Sequence, residues 1–151
     1  MNAADANRRP AMTSPAQAAA GAFFGGSIAL VCFVRSNYVA IGDTAAARRT
    51  LAIGILLVLA CNVAFALGIL LPTPARVFLD LSIAATPFAF MIASYEIVRR
   101  QIASLDVKPV IRSNLRAFAI SSLCMLASAA CALISIIVAL VALFANSGFR
   151  T

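Results

Sequence analysis

The sequence predicts an all-α membrane protein, a four-helix transmembrane bundle, on three observations. The run from Leu51 to Leu71 is uncharged and apolar, residues 77–98 and 117–145 carry comparable stretches, and residues 16–34 carry a shorter one broken by glycines. A hydrocarbon core about 30 Å thick needs roughly 20 apolar residues in a helix rising about 1.5 Å per residue. The second observation is composition: 63% of the 151 residues are hydrophobic and 11% charged, where a soluble domain carries about 25% charged residues. A mean hydropathy of +1.00 agrees. Third, most basic residues gather just outside the apolar runs, where they anchor helix ends and set orientation. The alternative architecture is three spans plus an N-terminal re-entrant segment.

Residues 1–15 (MNAADANRRPAMTSP) read as a disordered tail, residues 16–147 as one helical bundle, and residues 148–151 as a second tail. The spans are expected at about 16–34, 50–71, 75–98 and 117–145. Arg8 and Arg9 ahead of an apolar run resemble the start of a signal peptide. RSNYVAIGD after Val34 offers no small-x-small cleavage site, and further apolar segments follow.

The first segment turns on Gly21, Gly25 and Gly26 in GAFFGGSIALVCFV. Glycines four apart permit close helix packing, and a glycine pair also permits a break that returns the chain to its own side. If the segment spans, the 35–49 and 99–116 connectors together hold eight of the twelve basic residues. If it re-enters, Arg8 and Arg9 join them and ten lie on that side. Either way, loops 35–49 and 99–116 are expected in the cytoplasm.

Asp43 is placed to cap the second helix, its carboxylate accepting from free backbone N–H groups. Leu71-Pro72 ends that helix, and Thr73-Pro74 starts the third with proline where its missing N–H costs nothing. The third helix holds Asp80 and Glu96, read as pairing along their own helix with Arg76, and with Arg99 and Arg100. Pro87 interrupts its hydrogen-bond ladder, with the Ser82 or Thr86 hydroxyl expected to compensate.

In the fourth helix Ala117, Ser121, Cys124, Ser128, Cys131, Ser135, Val138 and Ala142 alternate four and three apart, which marks one small-residue seam. Gly54, Cys61, Ala64 and Gly68 form a similar face on the second helix. Membrane helices gain nothing hydrophobic by meeting in lipid, so close approach of small residues must hold them. The two seams are expected to meet, or one to meet a neighbouring subunit. Asn62 is strongly polar near mid-membrane and must bond across to another helix, with Ser128 or Ser135 as partners, or else line a pore. Thr86 and Asp80 are the other candidates for a polar contact or pore.

GAFFGGSIALVCFVRSNYVAIGDTAAARRTL resembles the opening of a loose group of small bacterial membrane proteins of uncharacterised activity. The residues that carry the likeness are Gly25, Gly26, Asn37, Tyr38, Gly42, Ala47, Arg48 and Arg49. The match covers about the first third of the chain, and Ser27 stands where a proline often follows the glycine pair. The resemblance implies a bacterial inner-membrane setting and supplies no activity.

Chemistry is sparse. There is no histidine, no CxxC pair, no paired carboxylates and no Gly-rich phosphate loop, so no enzyme, cofactor or metal site is expected. Cys32, Cys61, Cys124 and Cys131 all lie in apolar segments, where cysteine behaves as a small hydrophobe. The formal charge of +7 suits anionic lipid headgroups; without a soluble basic domain it implies no nucleic acid. The expected function is that of a non-catalytic multi-pass protein acting by helix packing with itself or a larger membrane partner, of an accessory or immunity type. The alternative is a small facilitative transporter or channel subunit.

Overall fold

The computed structural model describes residues 9–70, 73–106 and 108–147; within these, side chains are described except at 69–70, 73–76, 78–80, 142–143 and 146–147. The protein is an all-α bundle of four helices: α1 (Pro15–Ala40), α2 (Thr44–Leu70), α3 (Thr73–Ala103) and α4 (Asn114–Ser147). Each is long and apolar enough to cross a membrane, and the chain is a multi-pass membrane protein. Two short strands, β1 (Ala11–Met12) and β2 (Val110–Ile111), pair in parallel.

α1 is not straight. Gly26 sits at φ 60°, ψ −148°, a conformation open almost only to glycine, and the helix breaks there. The break folds α1 back on itself. A methyl group at Gly21 would overlap the Phe33 ring, and at Gly25 it would lie 2.7 Å from the Ala29 Cβ. The Thr13 N–H donates to Asn37 Oδ1 at 2.8 Å, although 24 residues separate them. A straight helix would hold those ends about 36 Å apart. The N-terminal arm (residues 15–25) and the C-terminal arm (residues 27–40) measure roughly 16 and 21 Å, each short of a ~30 Å hydrocarbon core. α1 is long and apolar enough to span, and it is bent at Gly26 into a helical hairpin, the shape that the re-entrant alternative calls for. The physical reason is the glycine pair: Gly25 lets the arms close and Gly26 supplies the turn.

The hairpin is the centre of the molecule. Its N-terminal arm runs parallel to the first half of α4, Gly21 facing Ser121 and Gly25 facing Cys124. Phe23 meets Phe88 of α3 edge-on at 5.3 Å. The C-terminal arm packs on α3 and α2: Phe33, Val34 and Val98 share the buried core, and Val31 presses so closely on Gly54 that a Cβ there would overlap it. Among the described residues α3 and α4 make no direct backbone contact. The hairpin fills the space between them.

A correction concerns the tail. Residues 10–14, expected to be disordered with the rest of 1–15, are fixed in place. Val110 N–H donates to the Pro10 carbonyl at 3.0 Å and Arg112 N–H to the Met12 carbonyl at 2.9 Å, with Met12 fully buried. Ser14 and Gln17 form a reciprocal capping box at the start of α1, with Pro15 next. Residues 1–8 and the 148–151 tail lie outside the described residues, as does the expected Leu71–Pro72 turn.

Elsewhere local chemistry acts as the residues indicate. Asp43 Oδ1 accepts from the Ala46 N–H at 2.8 Å, capping α2. Glu96 pairs with Arg100 at 3.0 Å and Arg99 at 3.6 Å. α3 continues through Pro87; the Thr86 hydroxyl donates to the Ser82 carbonyl at 2.9 Å, not to that of Ile83, the carbonyl four residues before the proline that loses its N–H.

Candidate functional site

Two polar constructions stand out, one at the open end of the hairpin and one at its tip. At the open end Asn37 is completely buried and Thr13 is 1% exposed. Asn37 Oδ1 accepts from the Thr13 N–H, while Nδ2 donates to the Thr13 carbonyl at 3.2 Å and to Gln101 Oε1 at 3.4 Å. Gln101 Nε2 in turn donates to the Val34 carbonyl at 3.2 Å. Gln17 Nε2 reaches the Arg112 carbonyl at 2.8 Å and Asn114 Oδ1 at 2.6 Å, and Arg112 Nη1 donates to Ser36 Oγ at 3.1 Å. These bonds tie the tail, both hairpin arms, α3 and the start of α4 into one clasp. Burial, with the charge of Arg116 adding, lowers the Arg112 pKa from its ordinary value, and its Nε is buried without a partner among the described residues.

At the tip, the broken backbone needs partners outside its own helix. The Ser128 hydroxyl of α4 donates to the Gly25 carbonyl at 3.1 Å, answering one orphaned acceptor. Beyond the tip lies a cavity of about 330 Å³. Gly26 and Ser27 roof it; Val58 and Asn62 of α2, Thr86 of α3 and Cys131 of α4 are among its walls. Asn62 Oδ1 accepts from the Ser135 hydroxyl at 3.1 Å, joining α2 to α4, and its Nδ2 donates to the Val58 carbonyl of its own helix at 2.8 Å.

The small-residue seams are therefore divided by depth. Between the open end of the hairpin and its tip, Gly54 packs on Val31, and Ser121, Cys124 and Ser128 pack on the N-terminal arm. There the two seams do not meet, because the hairpin stands between them. Past the tip, Cys61, Ala64 and Cys131 face the cavity, and Ser135 meets Asn62. Gly68 is buried farther along α2. Asp80 lies on α3, and its side chain is outside those described. Cys32 of the C-terminal arm lies beside Cys124 of α4. Among the described residues no group of three or more His, Cys, Asp or Glu side chains gathers to hold a metal.

Residue types alone gave no sign of Thr13, Asn37 and Gln101 as a unit, because 24 and 64 residues separate the bonded pairs. Ser27 was noticed only for standing where a proline is common. The signal that would have found it is its place directly after the hinge glycine. The chain matches no family model, no curated protein and no solved structure.

Proposed function

We propose that this is a non-catalytic protein of the bacterial inner membrane that passes a small solute by facilitated movement, as a small transporter or channel subunit. The observation that carries the reading is the half-depth hairpin ending over a cavity of about 330 Å³ in which Asn62, Ser82, Thr86 and Ser128 bring polar atoms to mid-membrane. Non-helical backbone at that depth is tolerated where it is buried in protein or lines a cavity, and broken helices with exposed ends are how many membrane proteins present polar backbone to a solute. The absence of histidine from the sequence supports the non-catalytic part.

The orientation follows from the clasp. With Thr13 against Asn37 and Met12 against Arg112, the N-terminal end lies beside the 99–116 connector. Nine of the ten basic residues among those described then share that side, which the positive-inside tendency assigns to the cytoplasm. Exposed Arg48, Arg49, Arg99 and Lys108 there suit anionic lipid headgroups. The test is flux of small solutes from proteoliposomes, wild type against Asn62→Leu. Loss of flux in the variant is expected; wild-type flux no faster than in protein-free vesicles sinks the reading.

A second reading, an accessory or immunity-type protein acting by packing with itself or a larger membrane partner, is favoured by one feature. A groove of about 530 Å³ between the N-terminal arm and α4 is lined by Ala16, Ala20, Gly21 and Ala117, small enough for another helix to approach closely. Crosslinking in native membranes that captures a stoichiometric partner, with no solute flux, would favour it.

A further inference from the structure

The cavity beneath the hairpin tip has an electrostatic asymmetry that bears on what enters it. The N-terminal arm ends there with its carbonyls, and the C-terminal arm begins there with its N–H groups. On the carbonyl side the Ser128 hydroxyl donates to the Gly25 carbonyl and answers one acceptor. Among the described residues no side chain accepts from the amide side. The first N–H groups of a helix have no acceptor within it, and together they carry a partial positive charge of roughly half an elementary unit. A second observation comes from a side chain. Ser27 is only 8% exposed, lines the cavity, and its hydroxyl has no hydrogen-bond partner among the described residues.

Thr86 has spent its one hydroxyl proton on the Ser82 carbonyl and offers the cavity only lone pairs. Asn62 Oδ1 accepts from Ser135 and one amide hydrogen goes to Val58, which leaves the second amide hydrogen free. No charged side chain lines the cavity among the described residues. The donors left unspent are the Ser27 O–H, the leading amides of the C-terminal arm and one Asn62 N–H. Donors around a positive helix end in a low-dielectric space recognise negative charge. With a water's share of liquid volume near 30 Å³, the cavity of about 330 Å³ takes a halide-sized ion together with part of its hydration shell.

We propose that the hairpin tip is a binding site for a small monovalent anion of halide type, held by the Ser27 hydroxyl and the first backbone amides of the C-terminal arm. The proposal rests on the solute-passing reading and names its substrate class. The experiment is chloride-35 NMR line broadening on the full-length protein in detergent micelles, titrated with chloride, for wild type, Ser27→Ala and Ser27→Thr. The twelve Lys and Arg residues give a weak background that all three proteins share. Above it, wild type and Ser27→Thr are expected to show saturable broadening, and Ser27→Ala to bind about tenfold more weakly, the loss of one hydrogen bond to a charged group. Chloride efflux and glycerol-driven swelling of proteoliposomes run alongside. Saturable broadening without chloride efflux upholds the anion site and removes the conduction reading. Broadening equal in wild type and Ser27→Ala overturns the site, and so does glycerol flux with no saturable chloride signal.

Discussion

Replacing Asn37 by alanine tests the architecture most directly, because that amide holds the tail against the returning arm. Its Oδ1 takes the Thr13 N–H at 2.8 Å and its Nδ2 supplies the Thr13 carbonyl at 3.2 Å. Thr13 is 1% exposed and Asn37 wholly buried, so water cannot replace the lost partner unless the clasp opens. Two backbone groups left unsatisfied cost about 1–3 kcal/mol each, partly offset because the variant no longer buries an amide. The expected net loss is about 3 kcal/mol, or roughly a hundredfold in the ratio of folded to unfolded protein. Unfolding in dodecyl maltoside titrated with sodium dodecyl sulfate, followed by far-UV circular dichroism, measures it. Asn62→Ala, which takes one partner from the half-buried Ser135 hydroxyl but leaves it the Cys131 carbonyl at 3.0 Å, serves for comparison at about 1 kcal/mol. Should Asn37→Ala unfold at the wild-type midpoint, the clasp is not what closes the hairpin, and the orientation drawn from it falls too.

Three further outcomes are expected. Gly26→Ala should lose about 1–3 kcal/mol purely through backbone conformation, since its new Cβ meets only Ser128 Oγ at 3.8 Å; an unchanged unfolding midpoint would contradict the hinge. Gly54→Ala forces Val31 and α2 apart and should cost about 1–3 kcal/mol by overpacking, whereas Ala60→Val on an exposed position of the same helix should stay near wild type in the same titration. Reporters fused ahead of residue 1 and inserted after residue 105 should report the same side of the membrane, and opposite sides would mean that α1 crosses it.

How much of this was legible in the sequence depends on what each feature needs. α2, α3 and α4 are written as long apolar runs, because burial in lipid asks only for length and low charge. Asn62 with Ser135 was readable, since an amide at mid-membrane must find a partner and few lie within reach. The small-residue stripe on α4 was readable as a stripe, yet not what it faces: Gly21 and Gly25, not the matching face of α2, lie against its inner half. The fold-back at Gly26 was open to two readings because a glycine pair suits a tight helix contact and a chain reversal equally well. Thr13, Asn37 and Gln101 were invisible as a set. Each looks like an ordinary loop polar residue until the hairpin brings the three together.

The re-entrant hairpin also sets the order of assembly. Its arms lean on partners made long afterwards: Gln101 follows Asn37 by 64 residues, and Ser128 follows Gly25 by 103. Until those helices leave the ribosome, a half-depth loop would face lipid with its bent backbone uncovered, which the bilayer penalises. Residues 15–40 are therefore expected to wait at the headgroup surface until α3 and α4 are made. Of the four helices, α1 is translated before the others and seated after them.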